Sequence, residues 1–212
     1  MRRFSLLFFS VVFLVSFNFF DLSMAFTSLS PEDIRKIYRD IKDIRGDFIQ
    51  KAYLKDLNRT DTYRGSFFIK IPSKMRWIYR DAKDEIEVII KGDDMILYQK
   101  RQKQAIRERF DRSLYGQTPV ALLAGLGDIE DDFYIEERDG GLLLRPKRPM
   151  GGIISLELRP SSGEFPIGSL IIIDRRSNRI EIRLKDVSTN TGVSDSFFEF
   201  KPPEGVKLQE LR

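Results

Sequence analysis

The sequence predicts a single α+β domain built on one large antiparallel sheet that curls into a barrel or half barrel. Three observations predict this fold. Roughly a dozen short segments alternate apolar and polar residues, clusters of Gly, Asp, Asn and Ser separate them, and two further segments have the signature of helices. Because no linker, low-complexity tract or internal repeat interrupts the pattern, we expect one domain.

Composition excludes several classes of chemistry. The chain has 212 residues, of which 42% are hydrophobic and 32% charged, and it contains neither Cys nor His. A Ser-His-Asp triad, a thiol nucleophile and a His/Cys metal site are therefore impossible. The formal net charge is only +4 and is a mixture of both signs, unlike that of a dedicated nucleic-acid binder. Composition leaves carboxylates and hydroxyls as groups available for catalysis, and no catalytic residue, metal site or cofactor is assigned.

The N-terminus resembles a secretory leader. A short positive start, Met1-Arg2-Arg3, precedes an apolar run from Phe4 to Phe20, and small residues follow at Ser23 and Ala25. We predict a signal peptide over residues 1–25, cleaved after Ala25, and a mature domain over residues 26–212. An uncleaved inner-membrane anchor is the alternative, because the apolar run is near the lower limit of a spanning length.

The first element of the mature domain is predicted to be an amphipathic helix. Ser30 is a suitable N-cap, and Pro31 stands at the first helical position. Helical spacing of apolar residues continues to Gly46, where we expect the helix to end after about four turns. The residues of the apolar face are Ile34, Ile37, Tyr38, Ile41 and Ile44.

After Gly46 the apolar period changes to two, which is typical of strands with one buried and one solvated face. The clearest case is the segment from Arg179 to Lys185, in which apolar and charged residues alternate strictly. The predicted strands are Asp47–Leu54, Tyr63–Ile71, Met75–Tyr79, Glu85–Lys91, Met95–Gln99, Gln104–Arg109, Asp132–Arg138, Leu142–Arg145, Ile153–Arg159, Ser169–Asp174, Arg179–Val187 and Ser196–Phe200.

A second helix is predicted in the middle of the chain. Thr118-Pro119 repeats the cap-and-proline signature, and the uncharged segment from Val120 to Leu126 follows. A helix that is apolar all round must be buried within the curled sheet or lie across its opening. The apolar surface then either forms a filled core or lines a cavity for a lipid chain, and composition alone leaves both possibilities open.

Several segments, in order, resemble the LolA family of periplasmic lipoprotein carriers. They are Phe48-Ile49-Gln50, the segment from Gly65 to Tyr79 with its Pro72 and Arg76-Trp77, the segment from Gly92 to Tyr98, Thr118-Pro119, and the segment from Phe198 to Val206. The last of these, a Phe-x-Phe strand followed by Pro-Pro-x-Gly-Val, is the most characteristic.

This resemblance implies a fold and a function. The fold is an unclosed, or half, antiparallel β-barrel of about eleven to twelve strands with an N-terminal amphipathic helix and a central apolar helix as a lid. The function is to accept acylated lipoproteins from an inner-membrane ABC-type transporter, shield their acyl chains, and deliver them to an outer-membrane acceptor. The resemblance also implies a non-enzymatic chaperone that needs no cofactor and acts as a monomer. We expect the soluble periplasmic carrier of the family, because no Cys follows the leader to be acylated.

Candidate residues for the acyl cavity and lid lie on the predicted strands and the central helix. They are Ile71, Met75, Trp77, Ile86, Val88, Ile90, Leu122, Leu123, Leu126, Ile180, Ile182 and Leu184. Two positions depart from the family pattern. Ile71 stands where an arginine commonly latches the lid, and Met75 stands where Phe is frequent. Ile71 has no side-chain donor, so closure is expected to depend on apolar packing of the central helix.

Two other function classes were weighed. One is a LolA-like periplasmic module that binds another amphiphile or senses envelope stress, and the other is a hydrolase that uses only carboxylates or hydroxyls. The basic clusters Lys100-Arg101-Gln102-Lys103 and Arg145-Pro146-Lys147-Arg148 are interpreted as solvated turns, with contact to anionic headgroups or to an acidic partner as the alternative.

Overall fold

A computed structural model describes residues 28–80, 85–111, 123 and 129–211. The predicted leader, Leu122, Leu126 and nearly all of the predicted central helix lie outside the described residues. The described helices are α1 (Pro31–Asp40) and the single-turn α2 (Ile129–Asp132). The strands are β1 (Asp43–Leu54), β2 (Arg59–Lys70), β3 (Lys74–Tyr79), β4 (Ile86–Lys91), β5 (Asp94–Gln99), β6 (Gln104–Arg109), β7 (Phe133–Arg138), β8 (Gly141–Pro146), β9 (Ile153–Pro160), β10 (Ile167–Asp174), β11 (Arg179–Thr189) and β12 (Lys207–Glu210).

All twelve strands form one sheet, in the order β12-β6-β5-β4-β3-β2-β1-β11-β10-β9-β8-β7. Every neighbouring pair is antiparallel except β12 and β6, which are parallel. The sheet is open, because β12 and β7 are its two edges. Its longest strands, β1 and β2, lie near the middle and pair along their whole length, from Asp43 opposite Lys70 to Leu54 opposite Arg59.

The register separates two faces of the sheet. Phe67 of β2, Trp77 of β3 and Val88 of β4 lie side by side on one face, which we call the inner face. All three belong to the main apolar cluster of the protein. Their neighbours along the same strands, such as Phe68 and Arg76, point to the opposite, outer face. Side-chain alternation thus places the main core on the inner face.

Helix α1 begins as predicted and ends earlier than predicted. Ser30 accepts a hydrogen bond from the Asp33 amide, and the Asp33 carboxylate accepts one from the Ser30 amide. The expected extension to Gly46 is wrong, because Asp40 is the last helical residue and β1 starts at Asp43. Asn190 stops the helix by accepting a hydrogen bond from the Lys42 amide at 2.7 Å and donating one to the Asp40 carbonyl at 3.3 Å.

The predicted strand Ser196–Phe200 is also wrong. Residues Asp195–Phe198 form a turn of 3₁₀-helix instead, and the twelfth strand is β12, further along the chain. We call residues 193–206 the C-terminal strap, because they cross the outer face. Phe197 packs on Phe68 at 4.6 Å between ring centroids and lies under the Arg76 guanidinium. The strap therefore covers outer-face residues of β2 and β3.

Asp195 holds the start of the strap to the sheet. Its carboxylate lies 2.7 Å from Lys70 Nζ and 3.0 Å from Lys74 Nζ. Hydrogen bonds from these two ammonium groups lower the pKa of Asp195 to about 2. A carboxyl group whose pKa is depressed on folding stabilises the protein above its unfolded pKa, and this contribution is lost as the pH falls through the folded pKa.

We therefore expect the difference in Tm between the wild type and Asp195→Asn to depend on pH. The wild type should be more stable above pH 4, and the difference should vanish as the pH approaches 2. Thermal unfolding followed by circular dichroism across this range measures the difference. Glu204→Gln, which removes another carboxylate from the strap, is the matched control and should show no such trend. A difference that persists unchanged at pH 2 would contradict the ion pairs.

Candidate functional site

The inner face carries a continuous apolar surface that includes most of the predicted site residues. Trp77 lies opposite Val88, and Met75 lies opposite Ile90, across β3 and β4. On the other side of β1, Leu184 of β11 lies opposite Phe48. The sequence-predicted residues that are buried in the one inner-face cluster are Met75, Trp77, Val88, Ile90, Leu123, Ile182 and Leu184.

The remaining predicted residues have mixed placements. Ile71 and Ile180 are half-buried and pack against the inner-face cluster. Ile86 is half-buried at the start of β4 and does not belong to the cluster of described residues. Leu122 and Leu126 lie outside the described residues. Leu123, whose exposed fraction is 0%, is the one described position of the predicted central helix, and it packs in the cluster.

Ile71 has no hydrogen-bond donor in its side chain, and its main-chain amide is already hydrogen-bonded within the fold. The Ile71 amide donates a hydrogen bond to the Lys42 carbonyl at 3.0 Å, which joins the end of β2 to the start of β1. The adjacent Lys70 points to the strap, where its Nζ meets the Val193 carbonyl. Closure through apolar packing, without an arginine latch at position 71, remains a prediction.

Aromatic rings form the centre of the inner face. The rings of Phe48 and Trp77 are stacked with centroids 3.9 Å apart, and Phe67 lies 5.4 Å from Trp77 on the other side. Gly65 makes this stack possible, because it lies opposite Phe48 in the β1–β2 pair and a side chain there would collide with the Phe48 ring. Stacked rings supply a large rigid apolar surface.

Sequence reasoning missed several residues of this site. The sequence identifies Phe48 and Phe67 only as parts of a family motif, and it predicts no site residue on β8 to β10. The missed residues on those strands are Leu142, Leu144, Leu156, Leu158, Leu170 and Ile172, all buried in the same cluster. Their alternation along the chain was visible and could have identified them. The register was needed to show that they continue one face.

Few polar groups interrupt the inner face among the described residues. Gln50 of β1 is buried there and accepts a hydrogen bond from Tyr79 Oη at 3.2 Å. Burial raises the pKa of Tyr79 to about 12, so its hydroxyl stays protonated at neutral pH. This pair is a neutral polar group within a largely apolar surface.

Tyr38 of α1 brings a second hydroxyl into the cluster. Its ring lies 6.3 Å from the Phe165 ring, and its Oη has no hydrogen-bond partner in the described part of the chain. Burial alone raises the pKa of Tyr38. A buried hydroxyl without a partner costs free energy, because it loses its hydrogen bonds to water.

Tyr38→Phe is therefore expected to raise the free energy of unfolding by about 1 kcal/mol. Tyr79→Phe is the matched control, because it removes the same atom where that atom is hydrogen-bonded to Gln50, and it should lower the free energy of unfolding by about 1 kcal/mol. Urea unfolding followed by Trp77 fluorescence measures both. A loss of stability in Tyr38→Phe equal to that in Tyr79→Phe would contradict an unpaired hydroxyl.

The described residues of the inner face are almost all aliphatic or aromatic. Among the described residues, no group of three or more acidic side chains is arranged to hold a metal ion. A search of the same residues for helices finds none with the length and apolar content needed to span a bilayer. The inner face presents a wide set of aliphatic and aromatic side chains from ten strands, β1 to β5 and β7 to β11.

Comparison with known proteins decides the family. Residues 39–201 match the model of the outer membrane lipoprotein carrier protein LolA. The chain belongs to the LolA family. Among its curated LolA-family relatives, the outer-membrane lipoprotein carrier protein of Halorhodospira halophila is 29% identical over 175 residues and covers 82% of each chain. That of Helicobacter hepaticus is 27% identical over 173 residues, covering 81% of this chain and 86% of its own.

Solved structures support the open sheet. A LolA superfamily protein from Nitrosomonas europaea superimposes with a TM-score of 0.50 at 15% identity, covering 82% of this chain and 99% of the other. An uncharacterized conserved protein from Thermus thermophilus has a TM-score of 0.54 at 10% identity, covering 86% and 100%. At these identities the likeness shows the fold alone. The predicted open, largely antiparallel sheet with few helices is confirmed.

Proposed function

We propose that this LolA-family protein is a soluble periplasmic chaperone that shields the acyl chains of lipoproteins and carries them from the inner to the outer membrane. The single observation that carries the proposal is the inner face, where side chains from ten strands of an open sheet form one apolar surface. The names of its relatives as outer-membrane lipoprotein carriers support the same function.

Shielding an acyl chain from water requires a large apolar protein surface. Exposing an acyl chain to water costs about 0.8 kcal/mol per methylene, or roughly 12 kcal/mol for a chain of about fifteen methylenes. Only extensive contact with apolar side chains offsets that cost, and Trp77, Met75 and Ile182 are the proposed centre of this contact. No covalent step is involved, so a protein without His or Cys is sufficient.

The empty carrier must also hide its own apolar surface. We propose that the central helix, through Leu122, Leu123 and Leu126, and helix α1, through Ile34 and Tyr38, form the cover of the inner face. Ile34, Tyr38 and Leu123 are buried in the inner-face cluster, which agrees with this role. Acyl chains would then enter by displacing these apolar side chains.

The cellular route follows from this function. Residues 1–25 would direct export and be removed, leaving residues 26–212 as one domain in the periplasm. The partners would be an inner-membrane ABC-type transporter that releases the lipoprotein and an outer-membrane acceptor that receives it. A monomer is sufficient, since one inner face is available per chain.

Depletion in the native host tests the proposal. Lipoproteins destined for the outer membrane should accumulate in the inner membrane after depletion, and the wild-type gene should restore their distribution. Membrane fractionation followed by quantitative mass spectrometry measures the ratio between the two membranes. Unchanged sorting would reject the carrier function.

The ligand that co-purifies distinguishes the alternative function. A carrier isolated from the periplasm should contain acylated lipoproteins, whereas a lipid-binding or envelope-stress sensing module would contain only free phospholipid or another amphiphile. Mass spectrometry of organic extracts and of the intact complex separates these outcomes. Recovery of free lipid alone would favour the module.

A further inference from the structure

One end of the sheet carries a group of exposed cations without counterions. Because neighbouring strands are antiparallel, the β1–β2, β5–β6, β8–β9 and β10–β11 turns all lie at this end. Six exposed Lys and Arg side chains in these turns have no ion-pair partner among the described residues. We call this end of the sheet the basic end. Its six cations are Lys55, Arg101, Lys103, Lys147, Arg175 and Arg176.

Hydrogen bonds connect three of these turns into one surface. The Lys55 amide donates to Asn178 Oδ1 at 2.9 Å, which joins the β1–β2 and β10–β11 turns. The Arg175 amide donates to the Gly152 carbonyl at 3.0 Å, which joins the β10–β11 and β8–β9 turns. The cations therefore belong to one ordered rim of the sheet.

The acidic groups of this end are largely engaged. Asp61 pairs with Arg59 at 2.9 Å, and Glu85 pairs with Lys100 at 2.8 Å. Asp174 accepts hydrogen bonds from the amides of Arg176 and Asn178, which fixes the β10–β11 turn. Asp56, in the β1–β2 turn, is the exposed acid beside Lys55. Asp131 of α2 and Glu204, which is next to Gly205 near Lys103, are further exposed acids at this end. Among the described residues, six unpaired cations therefore face three exposed acids, which leaves a positive excess.

The turns at the opposite end of the sheet have the reverse charge. These are residues 71–73, 92–93, 139–140 and 161–166, and they contain no Lys or Arg. Their charged residues are Asp93, Asp139 and Glu164. The described turns at the two ends of the sheet therefore differ in the sign of their charge.

Exposed apolar side chains concentrate at the same basic end. Among the described residues, the four most exposed large hydrophobic side chains are Leu57, Tyr134, Ile154 and Leu211, and the first three lie at this end. Leu57 is 63% exposed in the β1–β2 turn, and Ile154 is 49% exposed at the start of β9. Lys147 Nζ lies 5.7 Å from the ring centre of the exposed Tyr134.

We propose that the basic end docks on the surface of an anionic phospholipid bilayer. Cations attract the headgroups, while Leu57, Ile154 and the amphipathic Tyr134 fit the interfacial layer, where aliphatic and tyrosine side chains are favoured. A lipid surface can contact several of these cations at once, because they are spread across turns at one end of the sheet. This inference concerns a surface separate from the inner face and stands independently of the proposed cargo.

Sedimentation with vesicles tests the proposal. The purified protein should bind vesicles of equal parts phosphatidylglycerol and phosphatidylcholine at low ionic strength, and raising the salt to roughly 0.5 M should release it. Pure phosphatidylcholine vesicles should not bind it, which separates headgroup attraction from capture of acyl chains by the inner face.

Variants localise the contact. Arg175→Gln combined with Arg176→Gln should weaken vesicle binding by about 25-fold, since each cation near an anionic surface contributes about fivefold. Lys36→Gln combined with Arg39→Gln removes the same charge from exposed positions on α1 and should leave binding unchanged. Leu57→Ser should weaken binding further without altering its salt dependence.

Three results would overturn the proposal. They are no binding to anionic vesicles, equal binding to neutral vesicles, and an equal loss in the α1 control variant. If the protein does not bind anionic vesicles, the membrane proposal is wrong, and an acidic protein surface becomes the partner to test for the basic end. Lipoprotein sorting can fail or succeed independently of these results, so the two proposals are separately testable.

Discussion

Gly65→Ala is expected to destabilise the protein by about 3 kcal/mol or more. A Cβ at this position would collide with the Ile78 carbonyl oxygen and would lie 2.7 Å from Cε1 of Phe48. The first contact is with the backbone of the paired strand β3, which cannot move away without breaking the β2–β3 register. Urea unfolding followed by circular dichroism measures the loss.

Gly163→Ala is the matched control for this effect. Its Cβ would meet only Ser161 Oγ, at 3.4 Å, in the exposed β9–β10 turn. The change in the free energy of unfolding should stay within about 0.5 kcal/mol. Similar losses in the two variants would contradict the close approach at Gly65.

Trp77→Ala is expected to lower the free energy of unfolding by about 3–5 kcal/mol. The Trp77 side chain is fully buried between Phe48 and Phe67, and its removal leaves a cavity that these two rings cannot fill completely. Chemical unfolding followed by circular dichroism is the suitable measurement, because Trp77 is the only tryptophan.

Trp77→Phe separates ring packing from the loss of volume. It keeps an aromatic ring beside Phe48 and should cost less than half as much as Trp77→Ala. If Trp77→Ala costs less than about 1 kcal/mol, the centre of the inner face is not packed as described.

Strict alternation made most of the sheet predictable from the sequence. Eleven of the predicted strands correspond to β1 to β11, with bounds that differ by at most four residues at either end. β11 is typical, because Ile180, Ile182 and Leu184 lie on the inner face between charged residues. The order of strands could not be read from this pattern, since the β1–β11 pair joins residues more than a hundred positions apart.

The end of α1 depends on a distant contact. Ile44 continues the helical spacing of Ile34, Ile37 and Ile41, so the sequence predicts a longer helix. In the structure Ile44 is a fully buried residue of β1, and Asn190 binds the main chain at the helix end. A tertiary contact over about 150 residues thus overrides the local pattern.

The strap was mispredicted because its apolar residues do not alternate between two faces. Phe197 packs against Phe68, while the next residue, Phe198, is itself buried. A half-buried ring followed by a fully buried ring fits a 3₁₀ turn on one face, whereas a strand would point the two rings to opposite sides. β12 was missed because its four residues include only one apolar side chain, Leu208.

The sequence predicts the apolar character of the candidate site but only some of the strands that form it. The strands that supply most of the predicted site residues, β3, β4 and β11, do share one apolar cluster. β9 and β10 continue the same face, and only their register with β11 shows this. The unpaired hydroxyl of Tyr38 could not be predicted, because it depends on which groups surround the helix.

Photocrosslinking from the acyl chain itself tests the central claim most directly. Lipoproteins carrying a diazirine fatty acid would be loaded on the protein, irradiated and analysed by mass spectrometry for the residues that react. The account predicts crosslinks on inner-face residues such as Met75, Trp77 and Ile182. Crosslinks confined to their outer-face neighbours Arg76 and Arg183 would contradict it.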